Sequence, residues 1–192
     1  MNTKKLGLLA VFVMALAPAA HAHTGAGVVH SFMDGLLHPL LGIDHLLVML
    51  AIGLWAMLRG GRSLWLLPSS FLLAMAAGAG LHFAGMTLAG AEIGVALSVL
   101  AVGVLVWRNV RIATGLAALL VAIFALGHGY VHAAELTNNA NAFHYAGGFL
   151  LTTAILHLAG LLLGLVTLKH HRCRIGFAVV CTLVGTALLA GV

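Results

Sequence analysis

At 192 residues, with 62% hydrophobic and 7% charged side chains, this chain is too apolar for a soluble domain, in which about a quarter of residues are charged. Its mean hydropathy of +1.15 and pI near 9.9 describe a polytopic membrane protein. The nine Lys and Arg are scattered between apolar stretches, which excludes a nucleic-acid-binding face, and the length suits one transmembrane domain with no soluble module.

The chain opens as a signal peptide over 1–22. Lys4 and Lys5 form the charged region, 6–16 the apolar region, and Ala20-His21-Ala22 an A-x-A cleavage site after Pro18. The apolar region is short for a span of about 20 residues, which favours cleavage over a retained first helix. Cleavage leaves His23 at the new N-terminus, where its amine and imidazole could chelate a metal; a solvated tail holding His21, His23 and His30 is the plainer alternative.

The rest, 23–192, reads as an all-α membrane bundle of about six helices, near 40–58, 63–82, 91–107, 112–133, 143–168 and 174–191. Arg59 and Arg62 fall in the first break, Arg108 and Arg111 in the third, and Lys169, Arg172 and Arg174 in the fifth; the breaks at 83–90 and 136–142 have neither Lys nor Arg. Basic loops face the cytoplasm. Both termini of the mature chain are therefore expected outside, in agreement with a secretory signal. Trp55, Trp65 and Trp107 fall at the cytoplasmic helix ends, where an aromatic belt is expected. Gly78, Gly80, Gly160 and Gly164 suit close helix packing. Cys173 and Cys181 are too few for a disulfide framework and read as reduced structural thiols.

The chain has four acids, and two of them stand beside paired histidines: His38, Asp44 and His45 in 38–45, and His128, His132 and Glu135 in 128–135. Such groups are costly inside a membrane. Imidazole and carboxylate together are ligands for a divalent first-row metal. On a continuous helix His38 and His45 share nearly one face, with Pro39 tolerated in a first turn, Gly42 leaving room for an ion or a neighbouring helix, and Asp44 either a ligand or an orienting partner of an imidazole. Met49 faces the same way as a soft donor, although packing is its plainer role. His128, His132 and Glu135 form one stripe without the internal Glu of a zincin, so a protease is a weak reading. His82, Glu92 and His144 also fall at outer helix ends, so five helices present ionisable groups to one leaflet. His157 lies about 20 Å deeper, as a helix contact or a midway station for an ion. His170 and His171 read as interfacial residues. Polar interhelical bonding is the bland alternative for each cluster.

The pattern H-P-x-x-G-x-D-H-x-x-x-M at 38–49 resembles the signature of the HupE/UreJ family of nickel permeases, accessory proteins of hydrogenases and ureases. The resemblance spans essentially the whole chain. It includes Glu92 before Ser98, the segment Gly127-His128-Gly129-Tyr130-Val131-His132-Ala133-Ala134-Glu135, then Tyr145-Ala146-Gly147-Gly148-Phe149 and Leu156-His157-Leu158-Ala159-Gly160. One departure is that Phe124 is followed by Ala125-Leu126-Gly127 before His128, where members often place a histidine directly after the phenylalanine. The resemblance implies transport of nickel or cobalt from periplasm to cytoplasm across a bacterial inner membrane, as a substrate and not a prosthetic group. It implies no enzymatic activity, membrane lipid as surroundings, and cytoplasmic nickel-enzyme maturation proteins as indirect partners, with a homo-oligomer left open. Without a G-x-x-x-x-G-K-[ST] loop, nucleotide hydrolysis by that route is not expected. The alternatives are an intramembrane metal hydrolase using the same residues and a metal-binding subunit without flux. Whether the two clusters share one ion or bind in sequence stays open.

Overall fold

A computed structural model describes residues 31–136 and 141–192; the signal peptide, its cleavage site, His21, His23 and His30 lie outside the described residues. Seven helices follow in order: α1 (Phe32–Leu41), α2 (Ile43–Arg59), α3 (Ser63–Phe83), α4 (Ala91–Trp107), α5 (Thr114–Ala134), α6 (Ala142–Lys169) and α7 (His171–Ala190). There is no strand among the described residues. By length and composition α3, α5, α6 and α7 can each cross a membrane, and α1 with α2, bent by 79°, makes a fifth span if the pair is counted as one. The remaining expected span, α4, is a largely apolar helix of 17 residues, slightly short of the usual length.

The bundle is organised around α2. This helix is apolar on nearly every side, so it is covered on nearly every side. Val48, Met49, Ile52, Leu54 and Ala56 are fully buried. Helices α3, α4 and α6 pack around it, α5 lies along α3, α7 along α4, and α1 folds onto α6. The outer helices turn Leu73, Leu116, Leu119, Leu158 and Leu162 outward, as a lipid-facing surface requires.

Several seams bring backbones into direct contact, among them α2 on α6 and α3 on α5. A Cβ built on Gly53 of α2 would stand 2.9 Å from Cα of Gly160 in α6, and one on Gly129 of α5 would stand 2.9 Å from Cα of Met75 in α3. Each atom pair contributes only about 0.1–0.2 kcal/mol, so the seams gain from having many pairs in register. Gly78 packs on Leu126 and Gly164 on Met57, as expected of packing glycines, whereas Gly80 faces open space.

Three further expectations change. Trp55 is fully buried and donates its indole N–H to the Val110 carbonyl at 3.1 Å, because the central position of α2 leaves no interface there; Trp65 and Trp107 are exposed. The break expected at 169–174 shrinks to His170, since α7 already begins at His171, which puts Arg172 and Arg174 in its first turn. Pro39 lies in the last turn of α1, not the first. Cys173 is exposed, Cys181 buried, and both are free thiols.

Candidate metal centre

The first cluster is built by a break. Helix α1 starts with a capping box: Ser31 Oγ accepts from the Asp34 backbone at 3.2 Å, and Asp34 Oδ2 accepts from the Ser31 backbone at 3.0 Å. The acid at 34 is thus used as a cap. The helix stops at Leu41, two residues past Pro39, and Gly42 takes an extended conformation, φ −81 and ψ 114, from which α2 leaves in a new direction. The expectation that His38 and His45 share one face of a continuous helix is therefore wrong; they sit on two helices, and the turn itself brings their rings to 5.8 Å. Gly42 is sterically required: a Cβ there would lie 2.7 Å from His45 Nδ1 and 3.0 Å from Asp44 Oδ1. Thr152 of α6 fixes α1 by donating to the Leu36 carbonyl at 2.7 Å.

Asp44 is 3% exposed and His45 fully buried. The carboxylate Oδ1 accepts from His45 Nδ1 at 2.8 Å, so the proton is on Nδ1 and the lone pair on Nε2. From α5, His132 Nδ1 faces Glu135 Oε2 at 3.2 Å, which by the same reasoning leaves its lone pair on Nε2. The two Nε2 atoms, of His45 and His132, face each other. A cation between them would be held by both nitrogens. Carboxylates holding the far nitrogen of an imidazole are the usual support of a metal-ligating histidine.

The other members close around this pair. His128, one turn before His132, is fully buried, with its ring 5.0 Å from that of His45 and Nε2 2.8 Å from Ser98 Oγ of α4. His38 Nε2 lies 3.7 Å from Glu135 Oε2, and its ring is 4.7 Å from that of His132. Two overlapping ligand groups result, His45/His128/His132 and His38/His132/Glu135, each with its donor atoms within 4.8 Å of one another. His132 belongs to both. The first group is wholly buried; the second includes the partly exposed His38 and Glu135. Phe149 of α6 walls both, 4.7 Å from the His132 ring and 5.6 Å from that of His38.

The remaining candidates fall outside these groups. Glu92 is exposed and lines an open cavity of about 480 Å³ together with Tyr130 and Glu135. His82 meets the Tyr130 ring edge-to-face at 5.3 Å, and His144 is exposed at the start of α6. The Met49 carbonyl accepts from His157 Nδ1 at 2.9 Å. His157 is 1% exposed, and its Nε2 has no partner among the described residues. Phe71 of α3 touches both levels, 5.7 Å from the His128 ring and 5.0 Å from that of His157.

Sequence reasoning gave Ser98, Phe71 and Phe149 no role. A signal existed for Ser98, which with Glu92 supplies the polar side chains of an otherwise apolar α4. Phe71 carries no such mark, because an aromatic in a membrane helix is ordinary, and Phe149 is marked only as part of the segment 145–149 that carries the resemblance.

Fold and site together define a polytopic helical membrane protein with a buried histidine and carboxylate centre of metal-ligand composition. A family model described as HupE / UreJ protein matches residues 11–189. Protein HupE of Rhizobium leguminosarum bv. viciae is 42% identical over 183 residues, covering 93% of this chain and 94% of that protein. The chain belongs to the HupE/UreJ family. No solved structure matches it.

Proposed function

We propose that this protein is a nickel permease of the bacterial inner membrane, also open to cobalt, that carries the ion from periplasm to cytoplasm for hydrogenase or urease maturation. The observation that carries the reading is the pair of ligand groups joined at His132, one partly open and one buried. A hydrated dication enters past Glu92 and Glu135, at the open cavity. It loses water to His38, His132 and Glu135, then moves to His45, His128 and His132 by ligand exchange. Because the imidazole of His132 serves both groups, the ion is never without a ligand during the step. Two overlapping groups with one member in common favour sequential stations over two independent ions.

The next station is His157. Its Nδ1–H is held by the Met49 carbonyl, which leaves the Nε2 lone pair for a ligand. Phe71, against both His128 and His157, is the apolar step between the levels. The positive-inside pattern of the basic loops supports an orientation with the centre on the periplasmic side and both termini outside. The membrane potential supplies about 2.3 kcal/mol per charge per 100 mV, twice that for a dication, and binding must stay moderate for the ion to leave. A carrier of this kind catalyses no reaction, and family membership does not favour the hydrolase alternative.

The test is uptake of Ni²⁺ into proteoliposomes of purified protein at limiting nickel. Accumulation that requires the protein and rises with an inside-negative potential is expected. Stoichiometric binding without accumulation would replace the permease reading with that of a metal-binding subunit.

A further inference from the structure

Ser98 is fully buried in α4, and its hydroxyl makes two short contacts. Oγ lies 2.6 Å from the Val95 carbonyl and 2.8 Å from His128 Nε2. A hydroxyl has one proton to give and lone pairs to receive with. The Val95 carbonyl can only accept, so the serine proton goes there. The lone pair that Ser98 turns towards His128 must then meet an N–H. His128 therefore carries its proton on Nε2 and its lone pair on Nδ1. The two neighbouring imidazoles are the reverse: Asp44 and Glu135 hold the Nδ1–H groups of His45 and His132, and their lone pairs are on Nε2.

We infer that Ser98 is a positioning residue of the buried centre: its hydroxyl locks His128 as the Nε2–H tautomer, so that His128 offers Nδ1 to a divalent cation beside the Nε2 atoms of His45 and His132. The inference rests on the metal reading of the site and adds what sets its donor atoms. It also makes the three ligands unequal. A carboxylate behind an imidazole raises its basicity as a ligand; a neutral hydroxyl does so less. His128 is accordingly the weakest of the three donors. It is also the one in contact with Phe71, on the side of His157. The ligand that releases the ion most readily stands where the ion leaves.

The experiment uses the full chain, purified with ¹⁵N-labelled histidine, and Ni²⁺ as the probe. In the wild-type protein without metal, the His128 ring, assigned by loss of its signals in His128→Gln, is expected to show a protonated Nε2 and an unprotonated Nδ1. Ser98→Ala should mix the tautomers and weaken Ni²⁺ binding about 10-fold or more, as loss of an orienting partner does. Ser98→Thr, which keeps the hydroxyl, should restore the tautomer and most of the affinity. A wild-type His128 protonated on Nδ1 overturns the inference, and that reading is available even where Ser98→Ala does not fold. A folded Ser98→Ala protein with wild-type affinity also overturns it. Wild-type protein that fails to bind Ni²⁺ at all removes the metal reading itself, which separates the two failures.

Discussion

The two ends of α2 are held by opposite means. Towards its C-terminal half the helix is packed through Gly53 against Gly160 of α6, with Ile52, Leu54 and Trp55 fully buried, and the contact is made of backbone and hydrocarbon. At its N-terminus the same helix offers Asp44 and His45, both buried, to a set of imidazoles and carboxylates. The apolar end is satisfied mainly by shape, with the indole N–H of Trp55 given to the Val110 carbonyl. At the polar end the imidazoles and carboxylates hold one another, with Nε2 of His45 turned towards Nε2 of His132. An arrangement that holds side chains firmly while leaving donors turned on one another is suited to an ion that comes and goes. On the proposed reading the first end serves stability and the second the passage of a metal ion, and mutations should separate them.

The largest effect is expected at the packed end. Gly53→Leu must push α2 off α6, and overpacking costs of about 1–3 kcal/mol or more apply where backbone has no room to move; size-exclusion chromatography should find little monodisperse protein. His132→Ala leaves the Gly53–Gly160 seam untouched and removes a member of both ligand groups, so protein of wild-type elution should lose Ni²⁺ uptake. Asp44→Asn keeps the volume but removes the charge behind His45, and nickel affinity by calorimetry should fall about 10- to 100-fold. Gly42→Ala, whose methyl would press on His45 Nδ1 and Asp44 Oδ1, should cost affinity in the same direction while leaving the elution volume unchanged. Met49→Leu should change uptake least, because it is the Met49 carbonyl that meets His157 and a volume-conserving swap in a packed core is tolerated.

Much of this contrast could be read from the sequence. The apolar runs gave the helices, and the pairing of rare acids with histidines gave the centre, because ionisable groups in such a chain have few innocent explanations. What escaped was geometry that depends on partners far along the chain. The pattern around Pro39 and Gly42 was compatible with a helix start, and only packing of α1 onto α6, fixed by Thr152, shows that the chain breaks after the proline. Trp55 looked interfacial because it stood near a basic loop; its burial follows from α2 being central, which hydropathy does not reveal. Ser98 stood in view as a polar residue in an apolar helix, but its contact with His128 joins residues 30 positions apart. The link from His128 through Phe71 to His157 has no sequence signature.

The central claim is that His132 joins two stations on one inward route for a metal ion. The most direct test is Ni²⁺ uptake into proteoliposomes under an inside-negative potential, comparing wild type with His132→Ala at equal reconstitution. The account predicts potential-dependent accumulation by the wild type and none above empty vesicles for the variant. Wild-type rates in His132→Ala would contradict it.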